Sequence, residues 1–255
     1  MVMSNEPIRI QKWLSQLGLT SRREAERMIQ EGRVSVDGQV IVEMGHKVQP
    51  KVQSISIDGK VINQKEAPKV YWLFHKPDKT MTTRSDELGR ETIFDTTKLA
   101  KVKFRVATVG RLDYRTEGML LISNDGELVH RLTHPSFKVP RHYFAWINRR
   151  LTDDEVEQIR KGFRLKDGIY KGCEIRYANR QSKGSNVGYW YEISIKEGRN
   201  RIVRRIFESF EGCEVKRLMR YGFGDIIMPD TLEPGNYIQL DPDQIKSLKK
   251  MAQMK

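Results

Sequence analysis

The stretch GRLDYRTEGMLLISNDGE, residues 110–127, joins a charged segment to an apolar run. Met119-Leu120-Leu121-Ile122 is too short for a helix and reads as a buried strand, closed by the turn residues Asn124-Asp125-Gly126. Asp113 stands just upstream, between Arg111 and Arg115. One carboxylate in this place has two readings. It is a loop acid paired with Arg111 or Arg115, or it is a nucleophile that a cation keeps ionised and oriented.

Outward from this strand, the chain alternates strands and helices without regular β-α-β order. YFAWI (143–147) and YWYEISI (189–195) are rich in aromatic and β-branched residues, as strands are. TDDEVEQIRKG (152–162) has Thr152 as N-cap, acids in its first turn and Gly162 at its end. NRIVRRIFESFEG (200–212) sets Ile202, Val203, Ile206, Phe207 and Phe210 on one side of a second helix and arginines on the other. This mixture predicts an α+β fold on a mainly antiparallel sheet flanked by helices.

The first 64 residues have a different texture. In IRIQKWLSQLG, Ile10, Trp13, Leu14 and Leu17 fall at helical spacing, and Gly18 sits at the C-cap. In TSRREAERMIQEG, Ser21 and Glu24 form a capping-box pattern, and Ala25, Met28 and Ile29 make the apolar face. Asp37-Gly38 and Asp58-Gly59, each between alternating residues, predict hairpins. This is a small αα-β module, whose polar side carries Arg9, Lys12, Arg22, Arg23 and Arg27, with Arg33 beyond. Arg22 and Arg23 open a helix, where the macrodipole disfavours cations. The free N–H groups of such an end favour a phosphate.

Composition agrees with an anionic partner. The 255 residues carry a formal net charge of +13, which points to nucleic acid first. An acidic membrane surface is the second candidate, but no clear amphipathic basic helix or lipidation site supports it. No apolar run is long enough to span a bilayer, and MVMSNEPIRI lacks the apolar core of a signal peptide. Cys173 and Cys213 have no framework spacing and read as reduced thiols of a cytosolic protein. His130 and His134 are four residues apart, but no HExxH motif or third ligand accompanies them, so no metal site is expected. No phosphate-binding GK[ST] loop and no GxSxG elbow occurs, and Gly-x-Gly in YGFGD (221–225) reads as a turn.

Two resemblances sharpen these readings. IRIQKWLSQLGLTSRREAERMIQEGRVSVDGQVI resembles an S4 RNA-binding domain, most specifically in Ser-Arg-Arg-Glu-Ala followed by Gly-Arg-Val-x-Val-Asp-Gly. It implies RNA binding through Arg9, Lys12, Arg22, Arg23 and Arg33. VGRLDYRTEGMLLISNDGELVHRLTHP resembles the signature of the RsuA/RluB group of pseudouridine synthases. FHKP (74–77), PRHYFAWI (140–147) and KEGRNRIVRRIFESFEGCEVKRLMRYGFGDI (196–226) are similar to that group's other motifs, in the same order. Ile202 departs from the pattern, since relatives often carry a polar residue there. RYGFGDIIMPDTLEPGNYIQL (220–240) resembles the RluB, large-subunit branch.

The resemblance implies isomerisation of uridine to pseudouridine in 23S ribosomal RNA, without cofactor or metal. It makes Asp113 the nucleophile or base, places Tyr143 on the uracil, pairs Arg204 with Asp113 and makes Leu218 an apolar wall. Arg111 fills the space left by a flipped base, and Arg199 and Arg201 join the RNA contacts. Attack on the ribose, attack on the ring and elimination stay open. The expected organisation is an S4 domain (1–64), a linker (65–69), a catalytic domain (70–242) and a basic tail that frays (243–255). A cytoplasmic monomer acting on an assembling large subunit is expected, with no membrane partner. A small-subunit (16S) enzyme and a non-catalytic assembly factor are the alternatives; only catalysis requires Asp113.

Overall fold

The computed structural model describes residues 6–50, 52–102, 104–178 and 188–254. The N-terminal residues 1–5, within the stretch read above for a signal peptide, and Lys255 of the tail lie outside them. The chain divides into two compact units. Met1–Val70, with Val102–Ala107 and Asn124–Gly126, forms one, and the other contains the remainder.

The smaller unit begins with helices α1 (Ile10–Gln16) and α2 (Arg22–Gln30). Its core is the apolar face foreseen from spacing: Ile10, Trp13, Leu14, Leu17, Ala25, Met28 and Ile29, joined by Val34, Val36 and Ile55. The Ser21 hydroxyl accepts the Glu24 N–H at 2.9 Å and starts α2. The Glu24 carboxylate turns to Arg27 (2.7 Å). Strands β1 (Val34–Val36), β2 (Gln39–Val40), β3 (Ile55–Ile57) and β4 (Lys60–Val61) form a four-stranded sheet in the order β2-β1-β3-β4. Its two Asp-Gly turns have both residues at positive φ, near +50° at Asp37 and Asp58. That is the type I′ geometry such dipeptides favour.

The larger unit is built on a mixed sheet. Its strands are β5 (Tyr71–Lys76), β6 (Thr116–Ser123), β7 (Arg141–Ile147), β10 (Glu174–Ala178), β11 (Tyr189–Ile195), β12 (Val215–Phe223) and β13 (Tyr237–Gln239). They lie in the order β10-β11-β7-β12-β6-β5-β13, and only β12 and β6 run parallel. A small hairpin, β8 (Phe163–Leu165) with β9 (Gly168–Tyr170), stands apart from the sheet. Helices α3 (Gly126–Thr133), α4 (Asp153–Lys161), α5 (Ile202–Phe207) and α6 (Pro242–Met251) complete the α+β unit. Among the described residues, no helix is long and apolar enough to cross a membrane.

Two elements differ from expectation. The strand foreseen at 119–122 begins three residues earlier, because Thr116, Glu117 and Gly118 pair with Leu218, Met219 and Arg220 of β12. Pairing of the main chain draws these polar residues into the strand, where no apolar pattern marks them. The tail does not fray. Asp241 caps α6 in a full capping box with Gln244. Leu248 and Ala252, at 2% and 0% exposure, enter the core with Leu73, Leu121 and Phe223. Lysines at 246, 249 and 250 obscured an amphipathic helix.

Candidate active site

Strand pairing lays one row of side chains across the sheet. Tyr143 on β7 stands opposite Arg220 on β12, Ala145 stands opposite Leu218, and Leu218 lies beside Thr116 on β6. Paired residues share a face, so Thr116, Leu218, Arg220 and Tyr143 form a common floor. Above it opens a cleft of about 840 Å³, also lined by Arg111, Asp113, Arg141, Arg199 and Arg201. That volume is within the usual range for a ligand site.

Asp113 lies on the loop entering β6, and the loop is tied down on several sides. The Thr116 N–H donates to the Asp113 carbonyl at 3.0 Å, closing a turn. The Thr82 hydroxyl donates to the Leu112 carbonyl (2.8 Å) and accepts the Leu112 N–H (3.3 Å). Lys76, at 0% exposure, donates to the Thr116 and Pro77 carbonyls at 2.9 Å and to that of Tyr114 at 3.5 Å. Burial pushes its ammonium down to about 8, while Asp78, Asp113 and Glu117 pull the other way. Among the described residues, Asp113 enters no ion pair within 4.0 Å; Arg115 instead faces Asp78 at 3.7 Å. The salt-bridged loop acid is therefore not what the fold contains.

Arg204 departs from its expected role. Its guanidinium is buried and makes no ion pair with Asp113 among the described residues. Instead it donates to the Val215 carbonyl at 2.7 Å and to the Arg115 carbonyl at 2.6 Å. It thus joins α5, the start of β12 and the Asp113 loop through main-chain oxygens. Burial lowers its pKa, as does the like charge of Arg201, whereas Glu208 and Asp113 oppose the shift. Sequence motifs place an arginine near the acid; they do not say which of its neighbours takes the N–H groups.

The other residues divide by environment. Arg111 is exposed at the cleft. Arg199 is held by Glu197 at 2.6 Å and Asp167 at 2.9 Å, so two carboxylates offset its charge. Arg201 faces Glu208 at 3.8 Å and takes a left-handed conformation (φ +49°) at the start of α5. In the smaller unit, Arg9, Lys12, Arg22 and Arg23 are exposed and enter no ion pair among the described residues. Arg33 is bound to Asp58 at 2.7 Å and Glu31 at 3.2 Å, which gives it a structural partner. Cys173 and Cys213 have their thiols pushed up to about 11 by burial, a poor setting for nucleophiles.

Sequence reasoning missed Lys76, Thr82 and Arg220. Lys76 carried a signal: a lysine inside the apolar strand YWLFHKP has no solvated face to occupy. Thr82 carried none.

A model for RNA pseudouridylate synthases matches residues 70–209, and an S4 domain model matches residues 8–54. The chain belongs to the RNA pseudouridylate synthase family. Ribosomal large subunit pseudouridine synthase B of Yersinia pestis is 38% identical over 251 residues, covering 96% of this chain and 76% of that protein. The Vibrio cholerae protein of the same name is 37% identical, covering 97% and 76%. An uncharacterized RNA pseudouridine synthase of Aquifex aeolicus is 38% identical over 250 residues, covering 97% and 96%. A crystal structure of a pseudouridylate synthase shares the fold, with TM-score 0.63 at 23% identity over 94% of this chain and 99% of that one.

Proposed function

We propose that this chain converts a uridine of large-subunit (23S) ribosomal RNA to pseudouridine, with Asp113 as the reacting carboxylate. Relatives that bear the large-subunit name cover nearly the whole chain, which supports that substrate. The observation that carries the catalytic reading is a carboxylate without a counter-ion among the described residues, on a loop clamped by two buried cations at the mouth of a nucleotide-sized cleft. A loop acid kept for stability would be expected to hold a partner. One kept for chemistry is left free and aimed.

The isomerisation breaks the C1′–N1 bond of uridine and rejoins the uracil through C5, with no net redox change. The base is first flipped out of the RNA, at a cost of a few kcal/mol. Arg111 at the cleft edge takes the vacated place. Tyr143 packs on the uracil, and Leu218 keeps water from the anomeric carbon. Asp113 acts as nucleophile or base while Arg204 and Lys76 fix the loop beneath it. Arg9, Lys12, Arg22 and Arg23, with Arg201 and the carboxylate-held Arg199, hold the RNA backbone. Residues 1–64 anchor the RNA and residues 70–242 carry the reaction. The enzyme works as a cytoplasmic monomer on an assembling large subunit. Mapping pseudouridines in ribosomal RNA from cells with and without the gene tests this reading: one large-subunit position should revert to uridine. Reversion in 16S RNA would move the substrate to the small subunit, and unchanged maps would favour an assembly factor.

A further inference from the structure

Among the described residues Arg220 is the largest fully buried side chain, at 2% exposure, yet it lines the cleft. Its Nε donates to the Met119 carbonyl at 2.7 Å. Its Nη2 is buried and has no hydrogen-bond partner. Arg141 lines the same floor from the neighbouring strand, and both guanidinium carbons lie 5.7 Å from the centre of the Phe223 ring. Gly198 passes over Arg141, where an added Cβ would stand 3.4 Å from its Nη1. Among the described residues, neither arginine enters an ion pair within 4.0 Å. The carboxylates of the cleft are Asp113 and Glu197, and Glu197 is taken by Arg199 at 2.6 Å.

Two adjacent guanidinium groups, desolvated and without a carboxylate, are costly to bury. Burial, reinforced by the neighbouring Arg220, lowers the pKa of Arg141, whereas Tyr143 acts in the opposite sense. A fold keeps such a pair where a ligand supplies the missing anion. The planar fork of arginine suits phosphate oxygens, which accept paired, charge-assisted hydrogen bonds. We propose that Arg220 and Arg141 form an anion subsite on the cleft floor that grips a backbone phosphate of the nucleotide held beside Tyr143. The assignment rests on reading the cleft as the site of uridine isomerisation. It adds a fixed phosphate register: Arg220 lies opposite Tyr143 and two residues from Leu218, so the gripped phosphate sets how far the uracil enters. The surface arginines attract RNA at long range; the buried Arg220 and half-buried Arg141 measure its position.

Thermal shifts of the full chain with 5′-UMP and with uridine, at matched ionic strength, test the subsite. The wild type should be stabilised by 5′-UMP and not by uridine. Arg220→Gln and Arg141→Gln should each weaken 5′-UMP binding at least tenfold. Arg220→Lys, which keeps the charge and loses the fork, should weaken it about threefold and covers the case in which the glutamine variant does not fold. Equal stabilisation by uridine would make Arg220 a base contact and overturn the phosphate assignment. An undiminished 5′-UMP shift in Arg141→Gln and in either Arg220 variant would overturn the subsite. A wild type that binds 5′-UMP as predicted but forms no pseudouridine would refute the catalytic reading and leave the anion subsite standing.

Discussion

At the scale of single residues, the candidate site is held by main-chain hydrogen bonds. Lys76 and Arg204 bring positive charge under Asp113, but their N–H groups go to carbonyls at 114, 115 and 116. The acid is thus held by its backbone while its carboxylate stays available. The cost falls on Lys76. Its pKa is about 8 in the fold against 10.5 when unfolded, so between these values the unfolded chain binds more protons. Stability from this group is therefore lowest below pH 8 and rises as the pH climbs to 10.5. The full difference is roughly 3 kcal/mol. Chemical denaturation at several pH values, for wild type and Lys76→Met, should show this rise in the wild type alone. An identical pH dependence in both proteins would mean that Lys76 is not the group responsible.

At the scale of elements, the parallel contact of β6 with β12 decides where the loop and floor meet. Gly118 permits it. Its φ is +101°, and a Cβ there would lie 2.2 Å from the Arg220 carbonyl oxygen. Gly118→Ala should therefore force the strands apart and cost about 3 kcal/mol or more. A urea midpoint within experimental error of the wild type would show that the pairing can slide. This junction also marks how far the sequence could be read. Apolar spacing revealed α1, α2 and their core, and Asp-Gly dipeptides revealed both hairpins, because those signals are local. The motifs placed Asp113, Tyr143 and Leu218 together, and the cleft contains all three. Spacing could not show that Arg204 and Lys76 bond carbonyls, since main-chain oxygens are identical at every position. Nor could it show that Arg220 lies on the floor with its Nη2 unpartnered, because that depends on the register of β7 against β12. The α6 helix was hidden by its lysines for a related reason: one buried residue within the helix, Leu248, makes a weak pattern.

At the scale of the whole molecule, the net charge of +13 is unevenly used. Arg27, Arg33 and Arg199 spend their charge on internal carboxylates. Arg9, Lys12, Arg22 and Arg23 enter no ion pair among the described residues, and in the proposed reading they contact phosphates. Changing these four to Gln should leave the melting temperature nearly unchanged. It should lower the slope of log affinity against log salt by about 3, at roughly 0.7–0.9 per phosphate contact. An unchanged slope would take the S4 surface out of RNA binding.

In the proposed reading, Asp113 carries the reaction and contributes little to the fold. Asp113→Asn is nearly isosteric and removes no ion pair found among the described residues, so stability and RNA affinity should barely change. An amide is a very poor nucleophile and base, so conversion should be lost. The deciding measurement is pseudouridine formed in large-subunit ribosomal RNA by Asp113→Asn, taken with the melting temperature of the same sample. With Asp113 as the reacting carboxylate, no pseudouridine should be detectable at an unchanged melting temperature; conversion at a rate comparable to wild type would remove Asp113 from the reaction.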